Sequence, residues 1–177
     1  MQACHYLRKE INKHLCLILT LSTVIFFYPN AYAHINNQQI IHVEADSLQF
    51  NNDTKVGIYQ GHVKLEQGDR ILTADYATSY SNQEGQIFKI IALGRPALYK
   101  AFIFHDRPKL IASGNTIYYY PLKDYLEAIG NAWIVQDQNI FRGPQINYDF
   151  QKKTVVSPLS REGHTQITLA PIKALRS

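Results

Sequence analysis

The chain has 177 residues, of which 46% are hydrophobic and 18% charged, with a formal net charge of +4. That profile excludes a disordered chain, and the length suits one domain rather than two ordinary ones. Lysines and arginines are scattered rather than striped, so no nucleic-acid partner is expected.

The first element in chain order is a leader. Arg8, Lys9 and Lys13 form a positive N-terminal region, Leu15 to Tyr28 is an apolar run, and Pro29-Asn30 precedes Ala31-Tyr32-Ala33. These are the three parts of a cleavable secretory signal, so residues 1–33 are expected to be removed near Ala33, leaving 34–177 as one domain. As a helix the apolar run spans about 21 Å, short of the roughly 30 Å needed to cross a bilayer. Cys4 and Cys16 both fall in the leader, outside a lipoprotein context. The exported domain is therefore expected to have no disulfide and no cysteine metal site.

From Ile40 onward apolar residues alternate: Leu48 and Phe50, Val56 and Ile58, Val63 and Leu65, Ile117 and Tyr119, Ile146 and Tyr148, Ile167 and Leu169. Period two predicts half-buried strands. Turn residues punctuate them at Asn51-Asn52-Asp53, Gln67-Gly68-Asp69, Asn82 to Gly85, Asp137-Gln138-Asn139 and Glu162-Gly163. The fold class is all-β, with short strands of about six residues, in a sandwich, jelly roll or β-solenoid.

The chain also repeats itself. A shift of 69 positions lays Asp46-Ser47-Leu48 on Asn115-Thr116-Ile117 and Gly61 to Leu65 on Gly130 to Ile134. It also lays Ile71-Leu72 on Ile140-Phe141 and Ala74 to Ala77 on Gly143 to Ile146, without a gap. An internal duplication follows, because one such unit cannot bury its apolar face alone.

Catalytic signals are thin. His34, His42, His62, His105 and His164 have no zinc-ligand spacing, and no nucleophile elbow, phosphate loop or dinucleotide fingerprint occurs. Asp46, Asp69, Asp75, Glu84, Asp106, Asp124, Asp137 and Asp149 mostly fall at expected strand ends and turns, where Asp usually bonds its local backbone. Gly61, Gly68, Gly130 and Gly143 read as turn or bulge glycines. No enzyme, metal or cofactor is expected. The apolar residues Ile41, Val43, Leu48, Phe50, Val56, Ile58, Val63 and Leu65 would line one face, continued by Tyr99, Ile117, Tyr119, Ile134, Ile146 and Tyr148. They form either a closed core or a slot between splayed sheets, with tyrosines at its lip for a ligand with a polar head and apolar tails.

The phrases Ile41-His42-Val43-Glu44-Ala45-Asp46, Tyr59 to Gly68, Ala74-Asp75-Tyr76-Ala77, Gly94-Arg95-Pro96-Ala97 and Gly130 to Gln136 resemble the OstA-like periplasmic proteins of lipopolysaccharide transport, over about Ile40 to Ala170. The resemblance implies an open, twisted antiparallel β-jellyroll of about sixteen short strands, whose apolar interior shields the acyl chains of lipid A. It implies a lipid-binding groove at Ile41, Val43, Leu48, Phe50, Val63, Leu65, Tyr99, Ile117, Tyr119 and Ile134. It further implies partner-binding edge strands at Gln39, Ile40, Ile41, His42 and Val43 (Gln39 to Glu44), and at Thr165, Ile167 and Leu169 (Thr165 to Ala170). The implied partners are lipopolysaccharide and further copies of the chain, head to tail. An inner-membrane-anchored LptC-like protein is implied at the N-terminal edge and an outer-membrane LptD-like translocon at the C-terminal one. Such strand addition turns an otherwise hazardous free edge into a continuous sheet.

Three departures stand out. His62 replaces the family's usual Asn, Phe102-Ile103-Phe104 makes the following loop greasier, and the chain stops at Ser177 without a long basic tail. The competing readings are a membrane-anchored LptC-like relative, which Ala31-Tyr32-Ala33 argues against, and the translocon's periplasmic domain, for which the chain ends early. A small membrane barrel would need strands of about ten residues. An exported carbohydrate-binding module or hydrolase would carry its aromatics and carboxylates outside.

Overall fold

A computed structural model describes residues 40–104, 107–161 and 163–170. The expected leader, Gln39, His34, His105, Asp106 and Glu162 lie outside the described residues. Among the described residues ten antiparallel strands form one sheet: β1 (Ile41–Glu44), β2 (Ser47–Asn51), β3 (Val56–Gln67), β4 (Arg70–Ser81), β5 (Ile87–Phe104), β6 (Arg107–Tyr120), β7 (Tyr125–Gln136), β8 (Asn139–Asp149), β9 (Thr154–Val156) and β10 (Gln166–Thr168). The strands pair in the order β1-β3-β4-β5-β6-β7-β8-β10, with β2 also on β3 and β9 also on β8. A 3₁₀ turn, Pro121–Lys123, joins β6 to β7.

Strand length departs from expectation for a physical reason. β3 to β8 run 11 to 18 residues rather than six. Register breaks near the middle of these strands, at Gln60/Val63, Thr73/Tyr76, Leu93/Ala97, Ser113/Thr116 and Ile129/Ala132, divide them. Bulges of this kind bend strands without ending them. Each of the six long strands is therefore two shorter segments joined at a bend, where the sequence reads two strands.

The duplication is written into the backbone. Lys55, Gly61, His62 and Gly68 have positive φ, and so do Asp124, Gly130, Asn131 and Asp137, each 69 residues later. β7 begins and ends 69 residues after β3. A side chain at Gly61 would run into the Asp46 carboxylate, and one at Gly130 into the Asn115 amide, again 69 apart. Both bends therefore require glycine for its positive φ and for the close approach.

The bends turn one half of the sheet over the other. Arg70 starts β4, in a register row with Ala101 and Leu110, whereas Tyr119 is next to last in β6, in a row with Ile90 and Leu126. In a flat sheet these rows would lie at opposite ends of the strands, yet Arg70 hydrogen-bonds Tyr119 at 2.7 Å. The core fills the space between the two halves: Val63, Ile90, Tyr99, Ile117, Leu126, Ile134 and Ile146 are all at most 1% exposed. Each such side chain contributes roughly 1.5–3 kcal/mol by its burial.

Candidate functional site

Register partners on the inner face form rows that cross the sheet from edge to edge. One runs Val43, Leu65, Leu72, Tyr99, Ala112, Ile134, Phe141, Ile167. A second runs Phe50, Gly57, Ser79, Ile90, Tyr119, Leu126, Tyr148, Val155. A third runs Leu48, Tyr59, Ala77, Ala92, Ile117, Ala128, Ile146. Apart from Ser79, whose hydroxyl bonds Tyr59 at 2.9 Å, and the tyrosine hydroxyls, these rows are apolar.

All ten expected groove residues lie on this inner face. Val63, Leu65, Tyr99, Ile117, Tyr119 and Ile134 are buried, and Ile41 and Val43 are partly buried against the core. Leu48 and Phe50 face inward but stay 59% and 47% exposed, because β2 is the outermost strand over its half of the sheet. Tyr99 and Tyr119 sit deep inside, 1% and 3% exposed. Val56 and Ile58 are corrected: alternation buries Gly57 and Tyr59 instead and turns Val56 and Ile58 outward. The inner residues Leu72, Ile90 and Leu126 went unselected, although their period-two spacing would have found them.

The edge strands are shorter than expected. β1 begins at Ile41, and Ile40 is 89% exposed beside it. β10 covers Gln166–Thr168, so Thr165 and Leu169 flank the ladder instead of joining it. The expected loop after Tyr99 is instead paired, with Phe102 opposite Pro108 and Phe104 opposite Arg107.

A polar clasp spans the two halves. Arg70 Nη1 donates to Asp124 Oδ1 at 2.5 Å and to the Tyr119 hydroxyl, which donates to Gln67 Oε1 at 2.8 Å. The guanidinium also lies 4.7 Å over the Phe150 ring, which packs edge-on against Tyr148. Burial is the largest single influence on Arg70 and lowers its pKa, but the hydrogen bond to Asp124 together with Tyr99 and Tyr119 outweighs it and holds the group charged. Beside the clasp a cavity of about 10 Å³ is lined by Ile41, Leu65, Gln67, Arg70, Leu72, Ile90, Tyr99 and Tyr119. It has room for about one water. The Tyr99 hydroxyl is buried without a hydrogen-bond partner, and burial holds it well above the usual tyrosine range.

This arrangement defines a class: a bent β-sheet that encloses apolar rows between its own halves and, among the described residues, leaves a backbone edge free at β1 and at β10. The chain belongs to the LptA/(LptD N-terminal domain) LPS transport protein family, whose model matches residues 42–154. It is 32% identical over 120 residues to the lipopolysaccharide export system protein LptH of Pseudomonas aeruginosa, covering 68% of this chain and 69% of that one. The crystal structure of LptH, described as the LptA-homologous periplasmic component of the lipopolysaccharide transport device, superposes with a TM-score of 0.68 at 26% identity. The match covers 75% of this chain and 96% of LptH.

Proposed function

We propose that this protein is a non-enzymatic carrier of lipopolysaccharide in the periplasm, holding the acyl chains between the two halves of its sheet while the saccharide stays outside. The carrying observation is the set of largely apolar rows, which gives tails a path along the sheet from one edge strand to the other. The halves are closed on each other around a cavity of only about 10 Å³, so tails enter as the halves part. Energy for directed movement comes from a motor elsewhere. The signal at residues 1–33 exports the chain and is cleaved near Ala33.

The free edges at β1 and β10 carry the partners: copies of the chain joined head to tail, an LptC-like anchor at the β1 end and an LptD-like translocon at the β10 end. Edge pairing supplies backbone hydrogen bonds, and a heterologous contact that does not close extends into a bridge. A photo-crosslinking residue at Val43 or Tyr119 is expected to capture lipopolysaccharide, and one at the Asn82 turn is not. Equal labelling at all three positions would reject the reading.

A further inference from the structure

The outer face beside the 3₁₀ turn holds a cleft that the apolar rows do not use. Its volume is about 360 Å³, lined by Tyr120, Lys123, Tyr125, Glu127 and Asp149. The size falls within the range of small-molecule sites. Tyr120 and Tyr125 are register partners on β6 and β7, with ring centroids 6.0 Å apart and planes inclined at 44°. Lys123 Nζ lies 5.7 Å from the Tyr120 ring centre.

The charges nearly balance. Asp149 is already engaged, accepting from the Lys152 backbone N–H at 2.9 Å and pairing with the Lys152 ammonium at 3.2 Å. That leaves one ammonium, Lys123, and one carboxylate, Glu127, in the lining beside the two aromatic rings. A net charge near zero disfavours a phosphate or an organic cation. Rings flanked by one donor group and one acceptor group suit a ligand with a C–H face and a hydroxyl edge.

We propose that this cleft is a saccharide subsite, with the Tyr125 and Tyr120 rings against a pyranose face and Glu127 and Lys123 on its hydroxyls. Its position fits a head group. Tyr119 points into the interior while Tyr120 points out, and in the turn Asp124 reaches the inner clasp while Lys123 reaches the cleft. An amphiphile whose tails lie between the halves would bring its sugars over this rim; the proposal rests on the reading above for that source of the saccharide.

The test titrates the purified protein with deacylated oligosaccharide from lipopolysaccharide, followed by NMR. In parallel, displacement of a fluorescent acyl-chain probe by intact lipopolysaccharide is measured. Saturable shifts are expected at Tyr120, Tyr125 and Glu127 and not at Ile117 or Ile134. Tyr125→Ala should weaken oligosaccharide binding about tenfold, roughly 1.4 kcal/mol. Glu127→Gln, a milder change that preserves the ladder, should weaken it about threefold, and neither should alter probe displacement. Absence of saturable shifts, or affinity unchanged in both variants, overturns the subsite. Loss of probe displacement in the unaltered protein, with shifts still centred on Tyr125, instead overturns the carrier reading and leaves the subsite standing.

Discussion

Arg70 and Asp124 are 54 residues apart and belong to opposite halves of the bent sheet, yet they form an ion pair at 2.5 Å. Their side chains are only 22% and 27% exposed. The pair is therefore shielded enough to matter and is the charged tie across the interior. It closes the end of the space in which the apolar rows meet.

Removing one partner should loosen that closure. Arg70→Ala leaves the Asp124 carboxylate and the Tyr119 hydroxyl without their donor and strips the Phe150 ring of its cover. A loss of about 2 kcal/mol is expected, below the cost for a fully buried pair because both groups keep some solvent. Urea denaturation checks it, and a double-mutant cycle with Asp124→Ala should show strong non-additivity. Additive effects would mean the two groups do not act together.

The two central tyrosines should respond differently to loss of their hydroxyls. Tyr119→Phe breaks the bonds to Arg70 and Gln67 and should cost about 1–2 kcal/mol. Tyr99→Phe removes a hydroxyl that has no partner, so stability should hold or rise by about 1 kcal/mol. Equal destabilisation in thermal melts would contradict this assignment of the hydrogen bonds.

His62 bonds Asp46 Oδ2 through Nδ1 at 2.7 Å, and this bond raises its pKa above 6.5. A group with a raised folded pKa stabilises fully below its unfolded value, and the contribution fades as pH climbs through the folded value. Stability linked to His62 should thus be complete below about pH 6.5 and decline above it. The matching residue in the second unit is Asn131, which shares the positive φ and does not titrate. His62→Asn should flatten the change in denaturation midpoint between about pH 6 and pH 8. An unchanged slope would place the pH dependence elsewhere.

For the proposed head-to-tail assembly, the duplication predicts a docking register. β1 and β2 lie 69 residues before the β6 segments that pair with β5. Val43 matches Ala112, the register partner of Tyr99, and Phe50 matches Tyr119, the partner of Ile90. At the far edge, Ile167 faces Phe141 as Tyr99 faces Leu72, and Val155 faces Tyr148 as Ile90 faces Ser79. A second copy docking as β6 does on β5 would set its Val43 opposite Ile167 and its Phe50 opposite Val155. Cα atoms so opposed lie about 4.5–5.5 Å apart, within disulfide reach. Val43→Cys combined with Ile167→Cys should therefore give a ladder of oxidised oligomers, and Val43→Cys with Asn82→Cys should not. Monomer alone in the first pair would rule out this docking.

Much of this was legible in the residues. Period-two spacing marked the inward alternation of pairs such as Val63 with Leu65 and Ile117 with Tyr119, and Gly61 with Gly130 revealed the repeat. Other features hid because the chemistry that fixes them is not local. Lys55, Asp124 and Asp137 hold positive φ without being glycine. The clasp joins residues that no spacing rule connects. Val56 and Ile58 alternate as well as Gly57 and Tyr59 do, and apolar residues on both faces leave the choice to register. The bends at mid-strand look like strand ends in sequence, which is why long strands read as short ones.

The rows run across the strands rather than along them. Reach is thus gained strand by strand, about 4.8 Å at a time, and the eight strands of the main path give roughly 38 Å per molecule. Insertions in turns such as Asn82 to Gly85 thicken the rim without lengthening the path. Deleting one hairpin would shorten the path by about 10 Å, and in the proposed head-to-tail bridge that deficit would recur with each copy.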